Sequence, residues 1–78
     1  MIDRALVKQV MASVLEVDPA VLGEDASMDN VASWDSLRQM NLVLALEDSF
    51  GVSIPDEDAA NATSYQLILL VLQEQLST

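Results

Sequence analysis

Apolar residues recur in this chain at helical spacing, and nowhere do they alternate with polar ones over a sustained run. That periodicity limits the fold before any single residue does. Four segments carry it. The first runs from about Ile2 to Leu15; at roughly 100° per residue, Leu6, Val7, Val10, Met11 and Val14 share one face, with Arg4 and Lys8 to its side. The second opens at Asp35 or Ser36 and runs to Phe50, where Gly51 supplies a stop. DEDAAN, residues 56 to 61, predicts a short helix with acids in its first turn, where the helix dipole favours them. Thr63 followed by Gln66 predicts a capping box for the last helix, which runs to about Leu76. Between these segments, Asp18-Pro19 reads as a cap and an N1 proline opening at most a short turn. GEDASMDNVAS reads as a long polar loop, and Val52 to Pro55 as an extended connection. The fold class expected is all-α: a small four-helix bundle of three longer helices and one short third helix, in a single domain over residues 1–78.

The composition supports one core and removes most chemistry. A chain of 78 residues that is 51% hydrophobic can fill a single core and is too apolar for disorder. It contains no Cys and no His, so disulfides, thiolate metal sites and imidazole acid/base catalysis are all absent. GEDASMDN and DEDAAN do not match the ligand spacing of a calcium loop, and no metal site is expected. Thirteen acids stand against Arg4, Lys8 and Arg38, for a net charge of −10. Nucleic acids and anionic membranes need basic patches, so both are excluded as partners, and basic proteins are favoured. The longest apolar run, LILLVL, is too short to span a bilayer. MIDRALVKQV lacks a signal-peptide layout, and a cytoplasmic protein is expected.

The second helix has two apolar stripes. Leu42, Val43, Leu46 and Phe50 share one face, which is the better core candidate. Leu37, Met40 and Leu44 share another, interleaved with Asn41, Glu47 and Asp48. A surface helix normally buries one stripe. Burying the second would draw Glu47 and Asp48 inward, at a cost that the few cations cannot offset. The expectation is therefore an exposed docking surface of adaptable apolar anchors, with acids that set orientation.

Ser36 stands where this helix begins. It fits a capping box with Gln39, although Asp35 can cap instead. Nucleophilic catalysis requires an adjacent base; Lys8 is the sole lysine, and nothing in the sequence brings it near. Covalent modification is a third reading, because a helix N-terminus stabilises an attached phosphate. The residues alone leave cap and modification open.

The stretch DSLRQMNLVLALEDSFGVSIPDEDA, residues 35 to 59, resembles the central part of acyl carrier proteins. The shared elements are the Asp35-Ser36-Leu37 triplet, the run through Phe50-Gly51, and the Ile54-Pro55-Asp56 lead into a short third helix. The flanking segments fit as well, so the resemblance covers essentially the whole chain. It implies that Ser36, flanked by Asp35, carries a 4′-phosphopantetheine arm, transferred from coenzyme A by a phosphopantetheinyl transferase with Mg²⁺. The arm's thiol holds an acyl group as a thioester, so the protein is a carrier rather than an enzyme and has no catalytic residues. It also implies that Leu37, Met40, Leu44, Glu47 and Asp48 contact basic patches on acyl-loading and acyl-processing enzymes. Leu46 and Ala62 are implied to lie where an acyl chain enters the bundle.

Four positions and one helix depart from the family's fatty-acid members. Arg38 and Asn41 stand where acids are usual, Trp34 where Gly or Ala precedes the aspartate, and Ala62 where Ile or Val is common. The last helix is apolar almost all round. These departures point away from housekeeping fatty-acid synthesis and toward a specialised polyketide-type, modified-sugar or aminoacyl-loading pathway. Two alternatives stand beside this reading: an aminoacyl or peptidyl carrier, and an unmodified acidic helical module that binds a partner. A monomer is expected, with the apolar last helix the feature that would favour self-association.

Overall fold

Each helix of the computed structural model, which describes residues 3–76, begins where a side chain or a proline fixes the backbone. Helix α1 spans Arg4–Leu15, and Asp3 caps it by accepting the Leu6 N–H at 3.2 Å. The expected start at Ile2 lies outside the described residues. Glu16 closes α1 in the left-handed conformation, with φ of 57°. A single 3-10 turn follows at Pro19–Val21, capped by the Asp18 carboxylate, which accepts the Ala20 N–H at 2.9 Å. Helix α2 spans Ser36–Phe50 and ends at Gly51, whose φ of 64° and N–H bond to the Glu47 carbonyl make a left-handed stop. Helix α3 spans Asp56–Asn61 and α4 spans Tyr65–Leu76. No strand occurs among the described residues beyond an isolated bridge between Ser27 and Ser64.

Helix α1 lies against α2, and α1 and α4 supply equal numbers of buried side chains to the core. Val7, Met11 and Leu15 meet Leu42 and Leu46, with Tyr65, Ile68, Leu69 and Leu72 completing the centre. The faces differ from expectation at their margins. Leu6, Val10 and Val14 are only half-buried, while Ala12 is buried, so the buried face of α1 is rotated toward Val7, Met11 and Leu15. The long loop is polar in composition but also contributes buried Leu22, Ala26 and Val31. It can do so because its backbone is satisfied elsewhere. The Met28 N–H reaches the Thr63 carbonyl at 3.0 Å, the Tyr65 N–H reaches the Ala26 carbonyl at 2.9 Å, and Ser33 Oγ donates to the Leu15 carbonyl at 2.7 Å.

The capping box expected at Thr63 and Gln66 does not form. Ser64 caps α4 instead: its Oγ accepts the Leu67 N–H at 3.1 Å and its carbonyl accepts the Ile68 N–H. Gln66 turns outward to the carbonyl and carboxylate of Glu24, drawn by the loop packed beside it.

The head of helix α2 and the groove beside it

Asp35, not Ser36, caps α2. Its Oδ1 accepts the Arg38 N–H at 2.9 Å and its carbonyl accepts the Gln39 N–H. Ser36 is thereby placed at the first helical position, exposed, with no hydrogen-bond partner for its hydroxyl among the described residues. The N–H groups of Ser36 and Leu37 occupy the first turn, where no intrahelical acceptor exists. An unused hydroxyl, two unused donors and the positive end of a helix dipole therefore converge at one exposed point. Ser64, the other serine at a helix start, commits its hydroxyl to Leu67. Lys8, the one candidate base, lies over the Tyr65 ring, 5.2 Å from its centroid. Among the described residues no group of acids could hold a metal ion.

The capping role foreseen for Gln39 is also replaced. Its side chain turns inward and is 8% exposed. Its Oε1 accepts from Trp34 Nε1 at 2.6 Å, and its Nε2 donates to the carbonyls of Ala59 at 2.9 Å and Ala62 at 2.8 Å. Trp34 is accordingly a core residue, 2% exposed, although it stands two positions before Ser36. Removing Gln39 leaves two buried polar groups and one part-buried carbonyl unpaired, the buried ones each worth roughly 1–3 kcal/mol.

Arg38 also has a different task. Its Nη1 donates to the Val14 carbonyl at 3.0 Å and its Nη2 meets Glu16 at 2.8 Å, so it caps the C-terminal end of α1. The position departs from the fatty-acid pattern because its charge is used inside the molecule.

The second stripe of α2 is exposed: Leu37, Met40 and Leu44 are 68%, 66% and 62% accessible. Asp48 is exposed beside them. Glu47 is not a free rim acid. It is half-buried, and its Oε2 accepts the Ile54 N–H at 2.6 Å, which ties the α2–α3 connection to α2. Between α2 and α3 runs an open groove of about 330 Å³, walled mainly by Met40, Val43, Leu44, Ile54, Ala59 and Ala60, with Glu47 and Asp56 also on its lining. Met40, Val43, Leu44 and Glu47 follow Ser36 at helical spacing, so the groove continues the side of α2 that Ser36 begins. Leu46 and Ala62, 1% and 4% exposed, lie behind it on a separate cavity of about 10 Å³.

This arrangement is a small helical scaffold with an exposed, unbonded serine at a helix start and a groove beside it. The comparisons with known proteins agree. Residues 5–71 match the family described as phosphopantetheine attachment site. The fold matches the solution NMR structure of a holo acyl carrier protein from Geobacter metallireducens with a TM-score of 0.84 and 21% identity, covering 99% of this chain and 88% of that one. The chain belongs to the phosphopantetheine-attachment family and has the acyl-carrier fold. It is a carrier, not an enzyme, and its prosthetic group is a covalently attached 4′-phosphopantetheine.

Proposed function

We propose that Ser36 bears the arm and that the protein presents acyl thioesters to biosynthetic enzymes of a specialised pathway. The observation that carries this reading is the unbonded Ser36 hydroxyl at the first position of α2. In the transfer, the Ser36 oxygen bonds to the phosphorus nearest the pantetheine of coenzyme A, its proton leaves, and the nucleotide half departs as the broken pyrophosphate bond's other fragment. The N–H groups of Ser36 and Leu37 face the resulting phosphodiester charge, and the helix dipole favours it. Asp35 holds that helix start in place through its own hydrogen bond to Arg38. The group supplies the thiol that a chain without Cys lacks.

Proteins of this family meet phosphopantetheinyl transferases and acyl-processing enzymes. In our reading those partners read the exposed face of Leu37, Met40, Leu44 and Asp48, with Glu47 shaping the face from beneath. Arg38 spends its charge on α1 and Asn41 is neutral, so this face offers fewer acids than a fatty-acid carrier's would, which supports the specialised role. The reading takes the carrier as a single-domain monomer of the cytoplasm; no helix among the described residues is long and apolar enough to cross a membrane.

The test is intact-protein mass spectrometry after incubation with coenzyme A, Mg²⁺ and a broad-specificity transferase. The parent is expected to gain one phosphopantetheine and Ser36→Ala none. Because the Ser36 hydroxyl makes no bond, the substitution should change stability by less than about 0.5 kcal/mol. Modification of both proteins would move the attachment point elsewhere.

A further inference from the structure

Three residues line both the open groove and the closed cavity behind it: Gln39, Val43 and Ile54. They form the partition between the two spaces. Ile54 belongs to the buried core and Val43 packs against it, so shifting either loses close-packed contacts. Gln39 is different, because its oxygen is held by Trp34 Nε1 and its nitrogen by the carbonyls of Ala59 and Ala62. Moving it aside strands two buried polar groups and a part-buried carbonyl together. The space it guards, about 10 Å³, holds at most one water. The outer groove, about 330 Å³, is at the small end of ligand pockets. Glu47 and Asp56 also lie on its lining. The positive side chains lie on other partners: Arg4 with Glu24, Arg38 with Glu16, and Lys8 on Tyr65.

We infer that Gln39 sets the depth of the cargo site, so that this carrier shelters short acyl groups in the outer groove and leaves the remainder of longer chains in solvent. Gln39 is a specificity-determining residue that acts by closing the route to Leu46 and Ala62. The inference rests on the reading that Ser36 bears the arm, and it adds the class of cargo: short acyl groups in preference to long saturated ones.

The experiment loads the holo protein with acetyl, butyryl, hexanoyl, octanoyl and dodecanoyl groups, after mass spectrometry has established the arm on Ser36. The thermal midpoint and the emission of Trp34, the sole tryptophan, are then read for each load. The midpoint is expected to rise through the short chains and stay level from hexanoyl to dodecanoyl, with Trp34 emission constant throughout. In Gln39→Met the midpoint should keep rising to dodecanoyl, by several degrees per pair of methylenes buried. A parent midpoint that climbs steadily to dodecanoyl, with moving Trp34 emission, overturns the inference. The parent series decides the matter even if Gln39→Met does not fold. Failure to modify Ser36 defeats the carrier reading itself, whereas modification followed by a steady climb defeats only the depth limit.

Discussion

Arg38 and Gln39, adjacent in sequence, leave α2 in different directions, and each is fixed by a carbonyl on another segment. Arg38 reaches Val14 and Glu16 across a partly open surface, where screening leaves charged contacts modest. Arg38→Met should therefore cost about 1 kcal/mol in urea denaturation. Arg38→Lys should recover little of it, because a single ammonium replaces a planar fork that serves two acceptors. Gln39→Ala is a heavier loss. Two buried polar groups and one part-buried carbonyl lose their partner, and a decrease of roughly 3 kcal/mol is expected by the same measurement. A decrease below that of Arg38→Met would mean that water replaces the amide, contrary to the dry site described. Gly51→Ala should cost about 1 kcal/mol, since its φ of 64° disfavours a Cβ even though nothing crowds the position.

Among the helices, α3 is the least secured. It has six residues, none of them buried and no side-chain cap at its start. Two side chains of α2 hold its segment from opposite ends: Glu47 at Ile54, and Gln39 at Ala59 and Ala62. Amide hydrogen exchange in the native state should accordingly be fastest, among the helices, in Asp56–Asn61. Glu47→Ala should accelerate exchange at Ile54 and through α3 while leaving α1 unchanged. Equal acceleration in α1 and α3 would show global destabilisation rather than release of one end. Helix α4 is the opposite case. Tyr65, Ile68, Leu69 and Leu72 are buried, and its exposed Leu67, Leu70 and Leu76 are the surplus that makes it look apolar on every side.

For the molecule as a whole, charge is the dominant long-range term. A net −10 is carried on a body with a radius of gyration of 11.2 Å, so the acids repel one another across distances comparable with the Debye length. Raising the ionic strength from roughly 0.01 M to 1 M shortens that length from about 30 Å to about 3 Å. The thermal midpoint should rise over this range in a salt that binds no site. A fall would mean that the ion pairs Arg38–Glu16 and Arg4–Glu24 outweigh the repulsion. If basic partners dock on the Leu37–Met40–Leu44 face, as proposed above, their association should be faster at low salt, which stopped-flow measurements at two ionic strengths would check.

Much of this was legible in the residues because it is local. Helical periodicity, Gly51, Asp18-Pro19 and the acids of DEDAAN act within a few positions of themselves, and the helices lie where those signals put them. The start of α2 and the exposed stripe beside Ser36 follow from the same short-range pattern. What the sequence could not decide was the direction of its polar side chains. Gln39 is 20 and 23 residues from Ala59 and Ala62, and Arg38 is 24 from Val14, so no spacing rule connects them. Trp34, read from the sequence only as a departure from the family's Gly or Ala, is a core residue because its indole meets Gln39. Sequence thus determined the helices, the charge and the lack of His and Cys. Tertiary packing decided which polar groups were enclosed, and with them the depth of the groove, because a buried donor must find an acceptor wherever the fold brings one near.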